Sequence, residues 1–196
     1  MKPRISMRGF LLYLHMPLSS FSILNIISLE LNHKRPETIL DCGAGLGLYG
    51  ALARTYVDMG YGAKTKIVGV EPFYEYKNPN WGHYDFIYVN TLQGFLSLEN
   101  DDRYDMILFL DVIEHMPKLE GAELLIKLIA RLNPGGWLLV STPGEWVPQQ
   151  DVHGNELERH VSYWEPRDFA GFTILKDGHQ RDQFQQRMTV AKYIKE

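Results

Sequence analysis

Two groups of residues in this chain have the types and spacing to do chemistry. The first is Asp41-Cys-Gly43-Ala-Gly45-Leu-Gly47, an acid closing an apolar run, followed by three alternating glycines. The second is Asp111-Val-Ile-Glu114-His115, joined further along by His160. Glycines where a strand enters a helix let backbone N–H groups approach a ligand closely, because no Cβ intervenes. Carboxylates and imidazoles held together can move protons or hold cations.

Glycine-rich turns serve several ligands, so the glycines alone do not discriminate. Gly45-x-Gly47-x-x-Gly50 satisfies a dinucleotide fingerprint, and Glu71 stands about where a ribose-binding acid belongs. Asp41 argues the other way. A carboxylate at the mouth of the loop repels a pyrophosphate but favours an ammonium group. The methionine part of S-adenosylmethionine presents an ammonium, beside a carboxylate that backbone N–H groups can accept.

The elements that must position these groups are legible as alternating periodicities. Short apolar runs at Thr38–Cys42, Lys66–Val70, Phe86–Val89, Met106–Leu110 and Trp137–Ser141 read as strands. Helical patterns cover Leu48–Val57, Leu92–Leu98 and Leu119–Leu132, the last stopped by Asn133-Pro-Gly-Gly136. Such alternation predicts right-handed βαβ units and an α/β fold: a doubly wound, mostly parallel seven-stranded sheet with helices on both faces. Phe172–Leu175 and Arg187–Ile194 have no helix between them and should close the sheet as a C-terminal antiparallel hairpin.

At 196 residues the chain reads as one domain over 1–196, and its 45% hydrophobic and 22% charged residues are ordinary for a globular protein. A net charge of -4 argues against broad phosphate-backbone binding, so a nucleic-acid partner is not expected. Cys42 is the sole cysteine, which rules out an intramolecular disulfide and suits a reducing, cytoplasmic setting. Residues 1–36 begin with Lys2, Arg4 and Arg8 and continue through apolar runs, but His15, Pro17, Ser19, Ser20 and Ser22 interrupt them. The expectation is a helical segment packing on the domain, not a membrane span.

In this order, ILDCGAGLG, VGVEPF, YDMILFLDVIEH, LNPGGWLLVSTP and the closing hairpin resemble the class I (Rossmann-like, seven-stranded) S-adenosylmethionine-dependent methyltransferases, from Thr38 to the C-terminus. The resemblance implies that Gly43, Gly45 and Gly47 line the methionine part of the cofactor, with Asp41 near its ammonium. Glu71 would take the ribose hydroxyls. Asn90, with Thr91 beside it, stands where the family often has an aspartate at the adenine; an amide oxygen still accepts a hydrogen bond. Asp111 would contact the methionine end.

Glu114 and His115 then fall on the substrate side. His115 or His160 could act as a general base while the methyl group moves. Asp111-x-x-Glu114-His115 with a later histidine also resembles the metal pattern of small-RNA terminal 2′-O-methyltransferases, which have glutamate in place of Asp111. Ubiquinone-pathway O-methyltransferases are similar at the Glu-His pair. A divalent metal is therefore a secondary expectation. The long irregular stretch 143–166 is a candidate substrate lid, with Gln150, Asn155, His160 and Trp164 turned to the acceptor; the alternative is a surface loop pinned to the core by Trp164 and Phe169.

The expected function is transfer of methyl from S-adenosylmethionine to oxygen or nitrogen of a small polar metabolite, sugar or lipid precursor, releasing S-adenosylhomocysteine. One alternative is a metal-assisted RNA 2′-O-methyltransferase. Another is a non-catalytic cofactor-binding partner subunit, or a homodimer formed through the apolar N-terminal segment.

Overall fold

The computed structural model describes residues 21–59, 62, 64–98, 101–183 and 185–196. Lys2, Arg4, Arg8 and the first apolar run of the N-terminal segment lie outside these residues. The rest of that segment forms helix α1 (Leu24–Lys34), which buries Ile27 and Leu31 and ends on Arg35 in the left-handed region.

Seven strands follow: β1 (Thr38–Cys42), β2 (Lys66–Val70), β3 (Phe86–Tyr88), β4 (Tyr104–Leu110), β5 (Leu132–Pro143), β6 (Thr173–Lys176) and β7 (Met188–Ile194). They form one sheet in the order β3-β2-β1-β4-β5-β7-β6. β1 to β5 are parallel and β7 is antiparallel to both β5 and β6, so the doubly wound sheet with a closing hairpin is as expected. Helices α2 (Leu48–Ala53), α3 (Leu92–Leu96) and α4 (Lys118–Ala130) complete the domain, α2 running on through wider π-type turns over Arg54–Met59.

The period-2 alternation of the strands divides the core into two layers. Ile39, Met106, Leu108, Trp137 and Leu139 pack with Ile27, Leu31, Tyr49 and Val57 from α1 and α2. Leu40, Ile107, Phe109, Leu138 and Val140 face the other way, onto Phe95, Leu124, Leu128 and Trp164. Burying each such aliphatic side chain contributes about 1.5–3 kcal/mol. Asp41 follows Ile39 by two residues, so its carboxyl enters the first layer.

One local reading is corrected, that of Trp164. Asn133–Gly136 follows the end of α4 at Ala130, as expected, and lies within the span of β5. Tyr104 pairs with Leu132 and Met106 with Trp137, so these residues bulge out of the ladder. Trp164 does not face an acceptor. It is 2% exposed, stacks on Phe169, and its ring fills the space that a Cβ on Gly121 would need. The surface-loop alternative is therefore right for this residue: a large aromatic inside a polar stretch is an anchor.

Candidate active site

In a sheet of order 3-2-1-4, connections leave β1 and β4 in opposite directions, opening a crevice beyond their carboxyl ends. A cavity of about 540 Å³ lies there. Gly43 and Gly45 after β1, Glu71 after β2, Thr91 after β3 and Asp111 after β4 line it, together with Glu114, His115, Asn155, Glu158 and His160. Asp41, Gly47, Asn90 and Gln150 are not on its wall.

The glycine loop holds its shape through long-range partners. Gly43, Gly45 and Gly47 have φ of 80°, 50° and 81°, a region that disfavours side chains. A Cβ on Gly43 would also lie 2.5 Å from Val112 Cγ2. The N–H groups of Gly43 and Ala44 donate to the Val70 carbonyl at 2.8 and 3.0 Å. Gly45 N–H donates to Glu71 Oε2 at 2.8 Å, and Phe73 N–H to Glu71 Oε1 at 2.9 Å. From the far side Trp81 Nε1 donates to the Gly45 carbonyl at 2.8 Å, and Asn78 Nδ2 to that of Leu46 at 3.0 Å.

Glu71 is thus a clamp on the loop as well as a wall of the cavity. It is 4% exposed, and burial raises its pKa against the lowering effect of the two N–H donors. Each of its oxygens keeps a second lone pair for a further donor.

Asp41 sits behind the loop with 1% exposure. Tyr84 Oη donates to its Oδ2 at 2.6 Å, while Oδ1 has no hydrogen-bond partner. Burial pushes this carboxyl up to about 7, the Tyr84 hydrogen bond opposing the shift. Tyr84 also explains Gly50, the third glycine of the apparent dinucleotide fingerprint. A Cβ at Gly50 would run into the Tyr84 ring, and Gly50 N–H donates to Tyr84 Oη at 3.1 Å. That glycine serves packing.

Asp111 ends β4 with φ 55°, unusual for a residue with a side chain. Ser141 on β5 holds it twice: Ser141 Oγ donates to Asp111 Oδ1 at 2.6 Å, and Asp111 N–H to the Ser141 carbonyl at 3.0 Å. The following 3-10 turn, Ile113–His115, buries Glu114 to 3% exposure with Oε2 unpartnered. Burial and the neighbouring Asp111 charge hold the Glu114 carboxyl well above the usual range.

The stretch after β5 folds over this turn. Val161 and Ser162 N–H groups donate to the Glu114 carbonyl at 2.9 and 3.0 Å, bringing His160 to His115 with ring centroids 4.9 Å apart. Each Nδ1 meets a backbone carbonyl, Arg159 O at 3.2 Å for His115 and Val147 O at 2.7 Å for His160. Carbonyls only accept, so Nδ1 of His160 carries the proton and its Nε2 keeps a lone pair, while the His115 ring also meets the backbone of Asp111 and Glu158. Burial lowers both imidazole pKa values, that of His160 to about 4 with His115 contributing. Ligating atoms of Glu114, His115 and His160 all fall within 4.8 Å of one another.

Sequence reasoning brought Glu71, Asp111, Glu114, His115 and His160 to one cavity and missed four supporting residues. Tyr84 and Ser141 act on Asp41 and Asp111. Tyr76 Oη donates to Glu158 Oε1 at 2.9 Å, and Glu158 Oε2 lies 4.0 Å from His115 Nε2. Glu158 stands in the polar stretch already suspected of facing the acceptor, which was its one legible signal.

Fold, crevice and glycine loop together define a Rossmann-like domain of the class I methyltransferase type. The profile of the methyltransferase domain family matches residues 19–181, and the chain belongs to that family. It is 28% identical over 148 residues to a ubiquinone biosynthesis O-methyltransferase of Rickettsia typhi, covering 74% of this chain and 56% of that protein. The chain thus spans about half the length of this curated relative. Among solved structures, a 1,6-didemethyltoxoflavin-N1-methyltransferase of Burkholderia thailandensis with bound S-adenosylhomocysteine superposes with TM-score 0.61 at 20% identity, covering 87% of this chain and 76% of that one. A magnesium protoporphyrin IX methyltransferase of Synechocystis with bound S-adenosylmethionine gives 0.59 at 16% identity, covering 89% and 78%. At these identities the structures support the fold. Among the described residues no helix is long and apolar enough to cross a membrane.

Proposed function

We propose that this domain transfers the methyl group of S-adenosylmethionine to oxygen or nitrogen of a small polar acceptor. The observation that carries this reading is a crevice lined by Gly43, Gly45, Glu71, Thr91 and Asp111 together with Glu114, His115 and His160. The donor fits the residues present. The cavity is within the usual range for a cofactor site, about 300–1,000 Å³, and Glu71 retains acceptor capacity for two ribose hydroxyls. Gly43 and Gly45 would border the methionine part, Gly47 shaping the loop behind them. Asp111 and, from behind the loop, Asp41 supply negative charge for its ammonium. Thr91 would border the adenine end, while Asn90 stands next to it in the chain but off the cavity wall. A bound donor supplies an electrophilic methyl carbon on a sulfonium. This chain's residues then align the acceptor, and Nε2 of His115 or His160 takes the proton that its hydroxyl or amine releases.

Calorimetry tests the cofactor: S-adenosylhomocysteine should bind and NADH should not, and the opposite result ends this reading. A methyl-transfer assay then distinguishes an enzyme from a non-catalytic partner subunit.

The geometry of Glu114, His115 and His160 supports a second reading, in which these residues hold a divalent cation that orients an acceptor hydroxyl. The His160 tautomer suits it, since Nδ1 bound to the Val147 carbonyl leaves Nε2 as the ligating atom. Full turnover by metal-free protein in chelator would dismiss it. A homodimer through the N-terminal segment rests mainly on residues outside those described; sedimentation mass decides it.

A further inference from the structure

Residues 149–160 carry Asn155, Leu157, Glu158 and His160 to the cavity wall, and they are closed by their own hydrogen bonds. Val152 N–H donates to the Asn155 carbonyl at 3.3 Å, and Asn155 N–H to that of Val152 at 2.9 Å. Asn155 Oδ1 accepts from Leu157 N–H at 3.1 Å, starting the short 3-10 turn Glu156–Glu158. Gln149 Nε2 donates to the Glu158 carbonyl at 2.7 Å, and His160 N–H to that of Gln149 at 3.2 Å. A unit closed in this way takes its place over the cavity from partners outside it.

One set of such partners lies on the turn after β4, where the Glu114 carbonyl takes the N–H groups of Val161 and Ser162. A second lies on the turn after β2. There Tyr76 Oη donates to Glu158 Oε1 at 2.9 Å and accepts from Asn155 Nδ2 at 3.4 Å. Tyr76 is buried and is not on the cavity wall, so it acts on the cavity through these two residues. Its own place is set from Glu71. Glu71 Oε1 holds Phe73 N–H at 2.9 Å, and the Phe73 carbonyl holds Tyr76 N–H at 3.1 Å. The Phe73 and Tyr76 rings then meet edge to face with centroids 4.8 Å apart. Without the Tyr76 hydroxyl, Glu158 Oε1 would lose its short hydrogen bond in a site with little water to replace it.

We infer that Tyr76 is a positioning residue: through Glu158 and Asn155 its hydroxyl sets residues 149–160, and with them His160, over the cavity. Glu71 is then the common origin of two supports, the glycine loop through Gly45 and the 149–160 segment through Phe73 and Tyr76. The inference rests on the methyl-donor reading for what His160 does there, and not for the attachment itself.

Amide hydrogen exchange of the full chain, followed by NMR, tests this. Tyr76→Phe keeps the ring against Phe73 and removes only the hydroxyl. Exchange at Asn155, Leu157 and His160 should quicken about tenfold, the effect of one buried hydrogen bond, while the amides of β4 keep their rates. Glu158→Ala should reproduce the change. Glu158→Gln should not, because its amide oxygen still accepts from Tyr76. Adding Tyr76→Phe to Glu158→Ala should bring less than about threefold more, since both remove the same bond. Unchanged exchange at the three amides in Tyr76→Phe overturns the inference. Equal acceleration in β4 also overturns it, as a general loss of stability, and so does Glu158→Gln behaving like Glu158→Ala. These rates are measured without ligand, so failure of S-adenosylhomocysteine to bind the unsubstituted protein overturns the methyl-donor reading alone.

Discussion

The Tyr84 hydroxyl donates to Asp41 Oδ2 at 2.6 Å while its ring lies against Gly50, so one aromatic residue fixes both the acid before the glycine loop and the helix after it. Tyr84 comes 43 residues after Asp41, from the segment entering β3. Its contacts make the loop a property of the sheet and not of the β1–α2 turn alone.

Tyr84→Phe should remove the donor to Asp41 and the acceptor of the Gly50 N–H, at a cost of about 2–3 kcal/mol, read from urea unfolding. Gly50→Ala should cost a similar amount, about 1–3 kcal/mol, because the ring has no room to retreat. A fingerprint glycine held for a ligand would instead lose ligand affinity without losing stability.

Asp41 itself should oppose stability as pH rises. Its carboxyl titrates near 3.8 when unfolded and at about 7 when folded. Between those values the folded chain holds a proton that the unfolded chain has released, so this contribution to stability falls as pH increases through the window. Asp41→Asn should flatten that slope and raise the thermal midpoint at pH 8 by about 4 °C, equivalent to roughly 1–2 kcal/mol. A midpoint lowered at pH 8 and unchanged at pH 4 would contradict the assignment.

Glu71→Gln should weaken S-adenosylhomocysteine binding by about thirtyfold, near 2 kcal/mol, since an amide can accept from only one of the two N–H groups now held by the carboxylate. Calorimetry checks this, and proteolysis of the loop should quicken in parallel.

His160→Ala should lower kcat by roughly a hundredfold with S-adenosylhomocysteine affinity preserved, if its Nε2 is the proton acceptor. With the His160 pKa near 4, the imidazole stays neutral well below the usual histidine range. Turnover against pH should therefore show no histidine inflection near 6.5 and should fall only below about pH 5. An inflection at 6.5 that disappears in His160→Ala would show the group to be solvated and the pocket open.

Much of this could be read from the chain itself. Apolar alternation located the five parallel strands, because burial on two faces leaves a local signature, and the missing helix between Phe172 and Arg187 marked the hairpin. The glycines of the loop and the acids closing β2 and β4 were legible because positive φ and strand-end position are local demands. The polar stretch after β5 was visible as suspect, though not as folded.

What remained belonged to contacts between distant residues. Nothing around Asp41 shows that Tyr84 will cover it, that Ser141 will hold Asp111, or that Tyr76 will meet Glu158 across 82 positions. Trp164 went to the core because the space over Gly121 suited its ring, a matter of packing volume that residue type does not reveal. The sequence alone determined the sheet, the glycine loop and the acids at its edge, through periodicity and backbone geometry. Only the tertiary structure decided which of those acids faces the cavity and which is buried behind it, because that depends on side chains from other strands arriving at the same place.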